Sequence, residues 1–280
     1  MKINAVIKLL PAERLLYWIE ERESIRLKKE SGLPKPWTDD EILQRYRFCN
    51  VRRMDDKVSQ WLFENWYELN FNHPNMLLAV ALARFINLPG PLEFIGFPLE
   101  WNPGRIIKKL RQYKEENGKA FNGAYMVRGN DGIDKIECVV KYYVNPLGKV
   151  KLNTDSCEES WGAIKSSYGF GSFMAGQVVA DLRWAVKGKW DDKFDWAAAG
   201  PGSQRGLNRF LDLHVKIQMG QENFLEELLD IINYCGDNLP ASIVNRLEAI
   251  DYQNCLCEYD KYSRVLLGEG KPKQLYRGLI

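Results

Sequence analysis

The apolar positions of this chain recur mostly at helical spacing. Residues 10–30 carry them one turn apart, and residues 55–69 set Val58, Trp61, Leu62 and Trp66 on one face. The same period runs through 103–117, 155–166, 171–187, 203–213, 221–235 and 239–251, with a last stretch near 256–266. "TDDE" at 38–41 reads as a capping box in which Thr38 accepts from the Glu41 N–H, opening a helix that runs to about Cys49. Pro74 suits the first turn of a helix through Ile86, and "LPGPLEF" interrupts the pattern after it.

One region departs from this period. Within 121–150, "GAYMVRG" and "IECVVKYYVN" are rich in Val and Tyr and flank "GNDG", which predicts a β-hairpin or small sheet insert. No internal repeat and no low-complexity linker divides the chain. The pattern predicts a mainly α protein, a single domain over 1–280 of two helical lobes, with the β insert at 121–150.

Composition changes this picture little. With 280 residues and 45% hydrophobic positions a sizeable core is expected. Nine Trp and thirteen Tyr exceed what such a core needs, so some are candidates for stacking on a flat ligand such as a base. The net charge of +2 neither demands nor excludes nucleic acid. Its distribution is uneven: Arg45, Arg47, Arg52 and Arg53 cluster, as do Arg105, Lys108, Lys109, Arg111 and Lys114, the second group also reading as a wet helix face. Six scattered cysteines, none in a C-x-x-C pair, and two histidines make a zinc site unexpected. The N-terminus lacks a signal peptide's apolar stretch, and no run of about 18 apolar residues predicts a membrane span. The default reading is a reduced, cytoplasmic protein with no metal and no cofactor.

Candidate chemistry concentrates in three places. "RFCNVRRMDD" at 47–56 crowds Asn50, Arg52, Arg53, Asp55 and Asp56 beside Phe48, Val51 and Met54, without glycine or proline to make a loop. Read as a helix it is either a polar cluster built to hold an anion or a wet face with an Arg52 to Asp56 ion pair one turn apart. Near the C-terminus, Glu258 and Lys261 share a helix face and can supply a base and a phosphate contact, or simply pair with each other. In "IKSSYGFGSFMAGQVVADLRW" at 164–184, Gly169, Phe170 and Gly171 turn between two helices, with Phe170 free to plug into the core. Asp181, inside the apolar helix that follows, is expected to be paired.

That glycine turn resembles the helix-hairpin-helix motif, in which N–H groups at the second helix's start, here Gly169, Phe170, Gly171 and Ser172, bind a DNA phosphate. The downstream "DDKFDWAAAGPGSQRGLNRFL" resembles the layout of helix-hairpin-helix DNA glycosylases. It departs from them in two ways: Gly200-Pro201-Gly202 stands where their catalytic aspartate loop lies, and Phe173 stands where bifunctional members place lysine. "RYRFCNVRRMDDKVSQWL" at 45–62 further resembles an F-x-N-V-x-R-x-x-D signature, and "LCEYDKYSRVLLGEGKPKQLY" at 256–276 an L-C-E-[YF]-x-K-Y segment. With "GFGSFMAGQVVADL" and "GPGS", these motifs resemble the α-glutamyl/putrescinyl thymine pyrophosphorylases, amino acid:DNA transferases of bacteriophage thymine hypermodification.

The resemblance implies a glycosylase-like fold. It implies an enzyme that replaces the pyrophosphate of pyrophosphorylated 5-hydroxymethyluracil in DNA with an amine. Its implied partners are double-stranded DNA with the modified base flipped out and an amine donor, with glycine, glutamate and putrescine all open, in a phage-infected host cell. Arg52 and Arg53 would then face the pyrophosphate or a substrate carboxylate, Asn50 would read the uracil edge, and Asp56 would act as base or orient an arginine. Glu258 and Lys261 would assist, while Asp181, Gly200, Gly202, Ser203 and Arg205 would line the substrate site. A Cys257 thiolate adding to the uracil C6 is a further option. Two other classes stay open: a non-catalytic DNA-binding protein on the same scaffold, and a glycosylase using Asp191, Asp192 or Asp195.

Overall fold

The structure is a computed structural model, and it describes residues 3–123 and 132–276. Nearly all regular structure in it is helical, and the only β pairing among the described residues is an isolated antiparallel bridge between Tyr46 and Leu275. The chain divides into two compact units: Met1–Asp56 together with Lys193–Ile280, and Lys57–Asp192.

In the Lys57–Asp192 unit the centre is the helix Met76–Ile86, all eleven of whose residues are buried. A run of Leu, Ala and Val with no polar stripe can satisfy its surface only by being covered on every side. Ser172–Ala185 and the turns around Cys138–Val144 supply part of that cover. One charged residue of the helix, Arg84, is neutralised in the interior. Its Nη2 donates to Asp181 Oδ1 at 2.7 Å and its Nε to Oδ2, while the Tyr67 hydroxyl donates to Oδ2 at 2.6 Å. Asp181 is thus paired, as an aspartate with no exposure must be. Asp192 accepts from the N–H groups of Cys157 and Glu158 and from the Ser156 hydroxyl, at 2.7, 3.0 and 2.9 Å, so it caps the helix Cys157–Lys165.

The expected β insert is not what forms over 135–149. Lys135–Glu137 starts a helix capped by Asp134, Cys138–Val144 continues it with wider π-type turns, and Asn145–Lys149 closes it as a 3-10 turn. The buried positions explain why: Ile136, Val139, Val140, Tyr143, Val144 and Leu147 repeat every three or four residues. Burial of that helical stripe outweighs the β preference of Val and Tyr. Most of "GAYMVRG" and "GNDG" lies outside the described residues.

The other unit is built on four helices, Pro11–Glu30, Pro201–Phe210, Gln221–Asn238 and Ala249–Leu266. The closest pairing sets Pro201–Phe210 on Ala249–Leu266, and glycine makes it possible. A Cβ on Gly206 would stand 2.0 Å from the Leu256 carbonyl oxygen, and one on Gly202 would stand 2.3 Å from Cys257 Sγ. Residues expected as one helix over 239–251 form a short turn, Ala241–Val244, followed by a break. The last helix then starts at Ala249, where Asp251 Oδ2 accepts from the Glu248 N–H at 3.0 Å.

The "TDDE" cap works differently from the expected box. Asp40, fully buried, accepts from the N–H groups of Ile42 and Leu43 at 2.8 and 3.1 Å. Thr38 accepts instead from the Asp40 N–H and donates to Glu21. The helix it starts, Glu41–Arg45, ends well before Cys49. The excess of tryptophan also has a packing explanation: Trp18, Trp66, Trp161, Trp190 and Trp196 are buried and the other four half-buried, so none stands out as a stacking platform.

Candidate functional site

The stretch 47–56 is not a helix. It runs extended from Tyr46 and turns only at Arg53–Asp55. Several of its main-chain groups find their partners in side chains of two helices, while the turn at its end bonds to itself, the Asp55 and Asp56 N–H groups donating to the Arg52 and Arg53 carbonyls. The Cys49 N–H donates to Glu258 Oε2 at 3.0 Å, and the Cys49 carbonyl accepts from Arg22 Nε at 3.0 Å. The Arg53 N–H donates to Asp251 Oδ1 at 2.7 Å. The Asn50 N–H donates to Asp56 Oδ1 at 3.0 Å.

Asn50 is committed at both ends of its amide: its Oδ1 accepts from Arg22 Nη2 and its Nδ2 donates to the Asp55 carbonyl, each at 2.5 Å. Asp55 faces away from this group. It accepts from Arg246 Nη2 at 3.0 Å and sits 3.2 Å from Arg26 Nε, and both of those arginines also bind Glu23, closing a ring of alternating charge. The Arg52 to Asp56 pair does not form; Arg52 lies 3.9 Å from Asp55, with its side chain 40% exposed. Arg53, by contrast, is buried.

Asp56 is the electrostatically unusual member. Burial pushes its carboxyl up to about 6, against the opposing pull of the Asn50 N–H and of nearby Arg22 and Arg53, with Glu258 adding to the rise. Arg22 is drawn down by its own burial, and its Nη1 is buried with no hydrogen-bond partner among the described residues. Glu258 also holds Lys261 Nζ at 2.6 Å, and that ammonium lies 4.7 Å over the Phe48 ring. The result is a partly buried cluster of opposed charge: Arg22, Asn50 and Asp56 from the first part of the chain meet Glu258 and Lys261 from its last helix. A perturbed carboxylate among fixed cations is the arrangement expected of a proton-accepting or anion-binding site.

The other candidates fall elsewhere. Gly200, Gly202 and Ser203 begin the helix Pro201–Phe210. The buried Ser203 hydroxyl binds both the N–H and the carbonyl of Gly200 and accepts from Gln253 Nε2, so these residues seat one helix on another. Arg205 Nε donates to Asp260 at 2.9 Å. Burial pushes the Cys257 thiol up to about 11, which leaves little thiolate at neutral pH and removes the ground for a nucleophilic role. Asp181 is sealed in the other unit. In that unit Gly169 has φ +86, and a Cβ there would meet the Tyr143 ring at 2.1 Å, so the position requires glycine. Phe170 is buried against Phe85 with ring centroids 5.3 Å apart, as a plug should be. Gly171 precedes the helix Ser172–Ala185 with an ordinary φ of −95.

Residues 11–271 match the family described as "5-hmdU DNA kinase, helical domain". The chain belongs to this family. A 5-hmdU DNA kinase of Bacillus phage SP10 is 27% identical over 230 residues, covering 69% of this chain and 35% of that protein. The chain therefore spans about a third of the length of this curated relative. No solved structure matches it. The broader expectation, a protein family of phage thymine hypermodification, stands. The expected reaction does not: the family and the relative are named for a 5-hmdU DNA kinase, so the replacement of pyrophosphate by an amine is corrected, and the amine donor goes with it.

Two features of the folded chain are poorly signalled in its sequence. Arg22 sits in "IEERESIRLKKE", where charge at every turn looks like a solvated face. Asp260 and Arg264 sit one turn apart inside "LCEYDKYSRVL" but drew no attention. The signal available was their match to Arg205 and Arg209, a second pair one turn apart on the neighbouring helix. Among the described residues no group of His, Cys, Asp and Glu could hold a metal ion, and no helix is long and apolar enough to cross a membrane.

Proposed function

We propose that this chain holds 5-hydroxymethyluracil DNA and presents the hydroxymethyl group of the modified base for phosphorylation. The observation that carries this reading is the family match over residues 11–271, which spans most of the chain and both units. The named activity of the relative, a 5-hmdU DNA kinase, supplies the reaction. Modified phage DNA is the partner that follows.

The geometry adds residue roles to this reading. Moving a phosphoryl group from a nucleoside triphosphate to a hydroxymethyl oxygen, with the nucleoside diphosphate leaving, requires a group to take the hydroxyl proton while cations steady the phosphoryl group in transit. Asp56 suits the first of these roles, because a carboxyl raised to about 6 is ionised at neutral pH yet basic enough to share a proton. Arg52, half-exposed beside it in sequence, suits the second. Asn50 holds the segment rather than reading the base, because its amide is already committed. The turn at Gly169 to Ser172 supports a further contact in the helix-hairpin-helix manner. Phe170 is buried beneath it and Tyr168 stands exposed at its rim, so a DNA phosphate can approach the backbone.

The test is fluorescence anisotropy with two duplexes that differ only in carrying 5-hydroxymethyluracil or thymine. The chain is expected to bind the modified duplex more tightly, and equal affinity or no binding overturns the reading. In a phosphate-incorporation assay on the modified duplex, Asp56→Asn is expected to lower incorporation by on the order of a hundredfold or more without weakening DNA binding.

A further inference from the structure

Asp260 lies on the helix Ala249–Leu266 with its side chain 1% exposed. Three arginines converge on it. Arg209 Nε reaches Oδ1 at 2.9 Å, while Arg205 Nε and Arg264 Nε reach the other oxygen, Oδ2, at 2.9 and 3.4 Å. One carboxylate cannot neutralise three guanidiniums. Glu269 offsets a second charge by binding the far end of Arg209. A positive charge is left over, and it falls on Arg205 and Arg264.

These two differ from Arg209 in a way that matters. Arg209 is buried and engaged at both ends, whereas the side chains of Arg205 and Arg264 are 38% and 37% exposed. Arg205 Nε donates to Asp260, whereas Arg264 Nε stands 3.4 Å from the same oxygen as an ion pair without a hydrogen bond, and the terminal Nη groups of both make no hydrogen bond to any described residue. Arg205 is thus tethered at Nε by a buried carboxylate, which lowers the entropic cost of using its fork, while Arg264 is held beside it by charge. Two part-exposed guanidiniums drawn to the same carboxylate oxygen can together grip one tetrahedral oxyanion. The chain that follows adds charge of the same sign, with Lys271 and Lys273 in the segment just after Gly270.

We propose that Arg205 and Arg264, positioned by Asp260, form a phosphate-binding site. The ligand is the phosphate group of a nucleic acid backbone or of a free nucleotide, which share this chemistry. The site extends the reading given above, since it supplies a second hold on the DNA substrate. It involves neither Asp56 nor the glycine turn.

The experiment uses Arg264→Ala, Arg205→Ala and Arg264→Lys, with thermal melting as the folding control. Both arginines are partly exposed, so the melting temperature should move little. For a DNA phosphodiester, each alanine variant weakens binding to thymine and modified duplexes alike, by roughly tenfold, the worth of one charge-assisted hydrogen bond. The slope of log affinity against log salt becomes shallower by about 0.9 for each phosphate no longer neutralised. Arg264→Lys should also weaken binding, because it keeps the charge and loses the fork. For a nucleotide phosphate, DNA affinity is unchanged and calorimetric binding of ATP is abolished in the variants. Alanine variants that match the wild type toward both ligands overturn the proposal, as does full retention by Arg264→Lys, which would reduce the site to diffuse charge.

The outcomes separate from those of the proposed function. A wild-type chain that prefers the modified duplex, with variants unaltered, sinks the phosphate site alone. A wild-type chain without that preference sinks the presenting role, and the variants still decide whether phosphate is bound here.

Discussion

Asp181 and Asp56 are both aspartates placed beside arginine, and the protein treats them in opposite ways. Asp181 receives two of the three Arg84 guanidinium nitrogens and the Tyr67 hydroxyl, so its charge is met by directed bonds on both oxygens. Asp56 receives the Asn50 N–H, while Arg22 and Arg53 stand near enough to be felt. Arg22 aims its donors at Asn50 and at the Cys49 carbonyl instead. The first aspartate is a sealed pair that completes a core. The second is a carboxylate taken partly out of water and left short of compensation, which is how a group acquires a proton affinity near neutrality. Proximity to arginine therefore says little by itself; what distinguishes structure from chemistry is whether the donors are aimed.

The largest expected effect lies at the sealed pair. Arg84→Ala leaves Asp181 buried without its main partner and is expected to cost about 3–5 kcal/mol, read as a lower urea midpoint or a failure to fold. A loss under about 1 kcal/mol would mean that Asp181 is not held as described.

A pH experiment sharpens the other side. The folded value of Asp56, about 6, lies above that of an unfolded aspartate, about 3.9. The folded chain thus holds the proton more tightly over that interval, and this contribution to stability is present below about pH 4 and lost as pH rises through about 6. The expected size is on the order of 2–3 kcal/mol. Asp56→Asn keeps an acceptor for the Asn50 N–H and removes the charge. It should flatten this part of the pH profile and raise the urea midpoint at pH 7.5, even as it lowers phosphate incorporation. A variant less stable than wild type at that pH would show that Asp56 is compensated after all. The smallest effect is expected at the rim: Arg52→Ala breaks only a 3.9 Å, partly exposed contact and should change stability by no more than about 1 kcal/mol.

The sequence reading succeeded where a signal is local. The helices Pro103–Asn117, Cys157–Lys165 and Ser172–Ala185 lie close to the expected bounds, because their apolar period is clear. The first two also carry caps, at Asn102 and Ser156. It failed over 135–149, where residue type was weighed above spacing although Ile136, Val139, Val140, Tyr143 and Val144 keep a helical period. It failed again at 47–56, because nothing in "RFCNVRRMDD" announces that Glu258, Asp251 and Arg22 will take its main-chain groups. Those partners lie 209, 198 and 27 residues away along the chain. The identity of the candidate residues Asp56 and Glu258 was legible in the motifs, but their environment was not, since burial and pairing are properties of the folded chain.

The close seat of Gly202 and Gly206 on Leu256 and Cys257 has a mechanical consequence. Arg205 and Ser203 lie between the two glycines, so the joint works as a keyway that fixes the angular setting of the shaft carrying them. Slipping this helix by one residue would turn it by roughly 100° and swing Arg205 off Asp260. Side chains elsewhere in the interface can repack by small amounts, but a carbonyl lodged 2.0 Å from where a Cβ would stand has no adjustable part to yield. Two residues without side chains thereby set the aim of one with the longest reach, and any drift at this joint would be felt first as a loss of aim and only later as a loss of fold.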